Sequence, residues 1–317
     1  MFPTYKPEGM LNVTAENREA LSSPEGLERA LRLGQILEAP VLLCDNEMRL
    51  HVELGCMRGI IPREEAVWCR PGETIKDIAI ITRVGKSVAF KIIGFGEEKG
   101  QRVALLSRRA AQEECAKTFF ATLRQGDILP ARVTHLENYG AFVDVGCGLA
   151  SLLSIDCISV SRITHPRERL FCGMDLFVVV KSIDRELGRI FVTLKELLGT
   201  WEENAACFEA GQTVTGRVRS IESYGIFVEL APNLAGLAEL RGAVGAPVRT
   251  AVGDLAAVYI KSILPERMKV KLVMIDSRPE PEFPEPPHYF INVDNICHMD
   301  RWRYSPEGCS KCVETVF

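Results

Sequence analysis

Residues Gly126–Leu153 read GDILPARVTHLENYGAFVDVGCGLASLL, a glycine-led strand, a turn, a second strand and a third, centred on Tyr139-Gly140-Ala141-Phe142-Val143. The pattern returns at Gly211–Leu240, GQTVTGRVRSIESYGIFVELAPNLAGLAEL, where Gly211, Tyr224 and Phe227 each stand 85 residues after Gly126, Tyr139 and Phe142. A fixed offset with matched glycines and aromatics marks a duplicated module, so the chain reads as an array of small β modules.

Working outward, Pro130–Leu136, Ala141–Val145 and Ala150–Leu153 begin the module at 125–200, and Asp175–Ile183 and Arg189–Thr193 complete it. In the module at 211–276, Val214–Ile221, Ile226–Leu230, Gly236–Leu240, Leu255–Ile263 and Lys269–Ile275 follow the same course. Five short strands with polar turns is the strand count of an OB barrel. A divergent first module occupies 39–108, with strands expected at Val41–Cys44, Arg49–Leu54, Arg58–Ile61, Asp77–Ile93 and Val103–Ser107. When His51-Val52-Glu53 is aligned with Phe142-Val143-Asp144, His51 replaces the phenylalanine and Met48 falls at the place of Tyr139, so this copy lacks the aromatic pair.

The remaining segments are accessory. Residues 1–38 are expected to be helical, with Ser23 as N-cap, Pro24 at the first helical position and a stripe of Leu27, Ala30, Leu31, Leu33 and Leu37 ended by Pro40. Connector helices are expected at 109–124 and 201–210, the first from the spacing of Ala111, Cys115, Phe119 and Leu123. Residues 277–317 combine a proline-rich linker, SRPEPEFPEPPH, with a tail, YFINVDNICHMDRWRYSPEGCSKCVETVF, too aromatic to be disordered and expected to pack on the third module.

Composition bounds the function. A length of 317 residues and 47% hydrophobic content suit a chain with a substantial core. The net charge of −4 argues against holding nucleic acid by bulk electrostatics, so any such binding must be local. Eleven cysteines, an odd number spread along the chain, suit a reducing compartment. The start, MFPTYKPEGMLNVTAENREA, shows no signal-peptide pattern, and no apolar stretch approaches membrane-spanning length, so a soluble cytoplasmic protein without membrane contact is expected. There is no Walker loop, GxSxG or HExxH motif, so no enzymatic activity and no cofactor are expected.

The chemistry rests on the aromatics. Tyr139 and Phe142 bracket Gly140-Ala141, and Tyr224 and Phe227 bracket Gly225-Ile226, which is expected to leave a bare patch with a ring at each end. Bases of single-stranded nucleic acid stack on such rings with little sequence preference. The plainer alternative makes these rings barrel core. Arg132, Arg189, Arg217, Arg219, Lys269 and Lys271 lie on or beside strands where a backbone could pass, and the segment SRITHPRERL adds Arg162, Arg167 and Arg169. Cys297, His298, Cys309 and Cys312 form a CH…CxxC set with zinc-capable ligands, but adjacent Cys and His are awkward for one metal, and ordinary tail packing without a metal is expected.

On GDILPARVTHLENYGAFVDVG and GQTVTGRVRSIESYGIFVEL the chain resembles the S1 RNA-binding domain, an OB-fold module. Several such modules, connector helices and the SRITHPRERL loop resemble the ribosomal protein S1 family in a short form. The resemblance implies a mainly β fold of tandem five-stranded OB barrels joined by short helices. It also implies binding of single-stranded RNA or mRNA in the translation apparatus. Tyr139, Phe142, Tyr224 and Phe227 match the family's contact aromatics, Asp184 and Arg189 its loop before the last strand, and Lys269 the basic position in the third module. The histidine often ending the third strand is absent, with Pro62, Ser154 or its neighbours, and Glu239 at that place in the three modules. By the same resemblance, residues 39–108 are expected to contact the 30S subunit or its proteins. The alternative roles are a protein-interaction scaffold or an accessory RNA-binding subunit of an RNA-processing complex. On sequence alone, the second module is the best equipped for RNA.

Overall fold

A computed structural model describes residues 5–69, 74–240, 249–281, 283–293 and 295–317. Its centre is three closed five-stranded barrels in a row. The first is β1 (Ile36–Cys44), β2 (Leu50–Glu53), β3 (Arg58–Ile61), β4 (Ser87–Glu98) and β5 (Gln101–Ser107). The second is β6 (Ile128–Glu137), β7 (Gly140–Asp144), β8 (Ala150–Ser154), β9 (Asp175–Asp184) and β10 (Arg189–Thr193). The third is β11 (Thr213–Glu222), β12 (Gly225–Ala231), β13 (Leu234–Ala238), β14 (Leu255–Leu264) and β15 (Lys269–Arg278). In each, the first strand pairs antiparallel with the second and fourth, and the third runs parallel to the fifth, which is the OB arrangement.

The alternation seen in the sequence is the barrel's inside and outside. On β7, Ala141 and Val143 point into the core while Phe142 stays half-exposed; on β12, Ile226 and Val228 are buried and Phe227 is not. Each first strand also carries the same irregularity, between Val41 and Leu43, Val133 and His135, and Val218 and Ser220. A bulge there bends the strand so that it can close the sheet on both sides.

The N-terminal part differs from the helical reading of residues 1–38. Two helices form, α1 (Ala15–Leu21), capped by Thr14, and α2 (Pro24–Leu33), capped by Ser23, and the second ends at Gly34 in the left-handed region. Leu37 and Pro40 already belong to β1, and Leu27, Ala30 and Leu37 all pack in the first core. Asp77–Ile81, read as strand, is the short helix α3. An apolar run of this length carries no period that separates the two forms.

Helix α4 (Arg108–Thr122), capped by Ser107, lies against the second barrel, burying Cys115 and Phe119 in its core. The close approach explains a glycine: a Cβ on Gly146 would sit 3.0 Å from the Cys115 sulfur and 3.1 Å from the Phe119 ring. A shorter helix, α5 (Trp201–Ala205), starts with a Thr200/Glu203 capping box and buries Trp201 in the third core. The tail ends in a small hairpin, β16 (Arg301–Arg303) with β17 (Glu314–Val316). Its expected packing on the third barrel is only half the finding. Trp302 and Tyr304 enter the third core, but Tyr289, Ile291, Met299 and Phe317 pack on the second. Two backbone bonds, Ile128 N to Cys297 O (2.9 Å) and Met299 N to Gly126 O (2.8 Å), tie the tail to the second barrel.

Between the first two barrels, acidic groups hold the N-terminal segment. Arg108 clasps the Glu8 carboxylate through Nε (2.7 Å) and Nη2 (3.0 Å). Asp144 accepts from the backbone of Glu8 (2.7 Å), Gly146 (2.8 Å) and Gly148 (3.0 Å), and Glu38 accepts from Gly9 and Leu11. Burial first, then the neighbouring Glu8 carboxylate, pushes Asp144 from 3.8 up to about 7, and burial pushes Glu38 from 4.5 to about 6. Both folded values exceed the ordinary ones, so the native chain binds more protons than the unfolded chain across that window. The contribution to stability is therefore full below the ordinary values and lost as pH rises through 6 to 7. The chain is expected to melt at a lower temperature at pH 8 than at pH 5.5, with a flatter profile in Asp144→Asn. Thermal melts across that range check it, and a parallel slope in wild type and variant would contradict the assignment.

Candidate nucleic-acid interface

Strand register puts the repeated aromatics at one place on each barrel's outer face. Phe142 pairs with His135 on one side and Leu152 on the other, and Phe227 correspondingly with Ser220 and Leu237. His51 takes the equivalent place in the first barrel, between Leu43 and Ile60. There it pairs with Asp45 at 2.9 Å, and Asp45 also accepts from Arg49 at 2.8 Å. These bonds outweigh burial and hold the Asp45 carboxyl well below its usual range. The first barrel thus has a polar cluster where the others have rings.

The rings do not bracket a bare patch. Tyr139, in the β6–β7 turn, meets Phe142 edge to face, with centroids 6.3 Å apart and planes at 90°. Tyr224 and Phe227 repeat this at 6.1 Å and 89°. The intervening residues cannot form a platform. Ala141 and Ile226 point inward, and Gly140 and Gly225 lie against the next strand, where a Cβ would come within 2.4 Å of the Leu153 carbonyl and 2.8 Å of the Ala238 carbonyl. Edge-to-face contact is a favoured geometry for two rings and holds each in place. Tyr139 is 54% and Tyr224 66% exposed, so both pairs present ring surface to solvent.

The next strand along separates the two faces chemically. Leu152 pairs with Phe191 on β10, whereas Leu237 pairs with Lys271 on β15. The second barrel therefore adds a third half-exposed ring in the row Phe142–Leu152–Phe191, with exposed Arg189 two residues earlier on the same strand face. The third barrel instead has a groove of about 560 Å³ beside its ring pair, lined by Lys261, Arg267, Lys269, Lys271 and Lys311. Glu239, which stands in the place of the family's histidine, also lines the groove and has Lys261 at 3.9 Å. The two faces thus differ in kind, the second barrel's richer in rings and the third's bordered by five cations.

Other expected contacts have structural work. Asp184 accepts from Leu187 N at 2.8 Å and so closes the β9–β10 turn. Arg132 forms a two-pronged pair with Asp175, its cross-strand neighbour, at 2.6 and 2.7 Å and also donates to the Glu8 carbonyl. Arg217 donates to the carbonyls of Gly253 (2.9 Å) and Glu280 (2.6 Å). Arg169, from the SRITHPRERL segment, and Arg219 both bind Glu229, and Arg219 also binds Glu168, in a cluster joining the second and third barrels. Arg132, Arg217, Arg169 and Arg219 are thereby committed to protein contacts, while Arg189 and Lys269 remain on exposed strand surface.

Phe191, Lys261, Arg267 and Lys311 were not singled out in the sequence. The alternation in Arg189-Ile190-Phe191-Val192-Thr193 would have placed Phe191 outward once the register was known. Of the zinc candidates, His298 lies 2.7 Å from Asp127 and 3.2 Å from Asp300. Among the described residues, no group of three or more His, Cys, Asp or Glu is placed to hold a metal ion. Cys297 and Cys309 are half-buried and Cys312 is exposed. No helix among the described residues is long and apolar enough to cross a membrane.

Comparison with known proteins places this geometry in a family context. Residues 122–195 match the family model described as the S1 RNA binding domain. Over 72% of the chain it is 28% identical to small ribosomal subunit protein bS1 of Neisseria meningitidis, covering 41% of that protein. It is 34% identical to the bS1 of Rhodopseudomonas palustris over 59% of this chain and 32% of the relative. With the Staphylococcus aureus bS1 the identity is 31% over 75% of this chain and 60% of the relative. The chain thus spans between about one third and three fifths of the length of these relatives.

Proposed function

We propose that this chain, a relative of small ribosomal subunit protein bS1 carrying an S1 RNA-binding domain at residues 122–195, holds single-stranded RNA on its second and third barrels for the translation apparatus. The observation that carries the reading is the recurrence of one exposed edge-to-face ring pair at the same register in two consecutive barrels. Such pairs offer ring faces to unpaired bases, each stack being worth about 1–3 kcal/mol with little sequence preference. With a net charge of −4, affinity rests on these faces and on the local cations Arg189, Lys269 and Lys271. Joining two weak sites in one chain raises their combined affinity well above either alone.

The first barrel has another role in this proposal. It lacks the ring pair, and it exposes Leu42, Leu43, Ile78, Ile81 and Val84. Backbone bonds from Val41 to Lys86 and from Gly85 to Val41 bring the segments bearing Leu42 and Val84 together. Residues 39–108 would attach the chain to the small ribosomal subunit or its proteins through this apolar edge. The protein acts as a cytoplasmic RNA-binding component without catalysis of its own.

Titration of the full chain with fluorescent single-stranded RNA and with a duplex of the same length tests the central claim. Stacking requires unpaired bases, so the single strand is expected to bind at least about tenfold more tightly, from one or more stacks of about 1–3 kcal/mol. Equal affinity for both forms would mean that the rings do not read bases.

A further inference from the structure

We propose that the C-terminal tail is a built part of the third barrel's RNA groove and that Lys311 contacts a phosphate of the bound strand. The inference rests on the RNA-binding reading and adds to it a contact outside the barrel. The loop between β16 and β17 is closed by Tyr304 N to Val313 O (2.9 Å), Val313 N to Ser305 Oγ (2.8 Å) and Cys309 N to Pro306 O (3.3 Å). It is anchored to the barrel at its base. Trp302 and Tyr304 are buried in the third core, the Tyr304 hydroxyl donates to the Asn233 carbonyl at 2.6 Å, and Trp201 N donates to the Tyr304 carbonyl at 3.0 Å. On the far strand, the Thr315 hydroxyl donates to Glu196 at 2.9 Å.

Lys311 is therefore carried by a loop anchored at its base, and it lines the same groove as Tyr224, Phe227 and the strand lysines. Its ammonium has no ion-pair partner among the described residues. The groove gathers five cations, Lys261, Arg267, Lys269, Lys271 and Lys311, against the single carboxylate of Glu239. Like charges brought together repel one another, and a phosphodiester backbone entering the groove turns that repulsion into attraction. Bases stacked on Phe227 and Tyr224 would leave their phosphates among these side chains. The tail cation comes from outside the barrel, so a barrel without its tail would offer one contact fewer.

Single-stranded RNA titrations of the full chain over a salt series test this, with Lys311→Gln beside Lys117→Gln, which removes an equal charge from the exposed face of α4. One phosphate contact on a single strand contributes about 0.7 to the slope of log affinity against log salt, which makes Lys311→Gln about fivefold weaker near 0.1 M salt. Lys117→Gln should leave slope and affinity unchanged, and Lys311→Arg should bind as wild type. Equal losses in both glutamine variants would reveal a bulk charge effect and overturn the assignment. So would an unchanged Lys311→Gln, with RNA binding itself left standing. A wild-type chain that binds no RNA would overturn this inference and the proposed function together.

Discussion

Replacing Phe142 and Phe227 together by alanine is expected to weaken single-stranded RNA binding by at least tenfold while leaving the fold intact. Each ring lies half-exposed on the outer face, outside the buried core clusters formed by Ala141, Val143, Ile226, Val228 and their neighbours. Truncation therefore opens no cavity in a core and should cost little stability. The loss in binding is larger. On the proposed reading each ring supports a stack worth about 1–3 kcal/mol, and each also props Tyr139 or Tyr224 at the edge of the pair. Two such losses of about 1–3 kcal/mol each exceed the 1.4 kcal/mol that corresponds to a factor of ten. Fluorescence anisotropy reads the affinity, and a melt within a degree or two of wild type shows that folding is unaffected. An unchanged dissociation constant would eliminate stacking as the mechanism.

What could be read in the sequence was local and periodic. The ring pairs were visible because Tyr-Gly-x-Phe recurs at one offset, and strand alternation put each phenylalanine outside. The roles of the arginines were not visible, because partners distant in sequence decide them. Arg132 meets Asp175, Arg217 meets the carbonyl of Glu280, and Arg169 meets Glu229 across a joint between barrels. Each looks like surface charge until the fold supplies its counterpart. His298 stands beside Cys297 in a pattern that fits either zinc or tail packing, and the partner that fixes it, Asp127, lies 171 residues away in the chain. Lys311 was hidden for the same reason: its position follows from Tyr304 reaching Asn233, a contact no local pattern encodes.

Glu229→Ala is expected to be among the most damaging single substitutions outside the hydrophobic core, destabilising the joint of the second and third barrels by about 3–5 kcal/mol. The Glu229 carboxylate is buried and accepts from Arg219 Nε (2.9 Å) and Nη2 (3.1 Å) and from Arg169 Nη2. Without it, two largely buried guanidiniums lose the carboxylate they share, while Glu168 still pairs with Arg219. A buried charge left without its counterion loses its Coulomb partner but keeps its desolvation cost, which is why breaking such a cluster costs far more than never having built it. Glu229→Gln separates charge from shape. It keeps the volume and one acceptor, so a loss close to that of alanine identifies the missing charge as the cause. The combined change Arg169→Leu, Arg219→Met and Glu229→Leu should recover most of the stability, since apolar groups of similar size need no counterion. Calorimetry checks the energy, and limited proteolysis shows whether cleavage shifts to the segment between the barrels. A loss below about 1 kcal/mol would class the cluster with weak surface pairs. On the proposed reading the same joint sets the two ring pairs along one strand of RNA. Loosening it should reduce the affinity gained by joining the sites while leaving each barrel's stacking intact, so Glu229→Ala should bind a long single strand less tightly but a short oligonucleotide as well as wild type does.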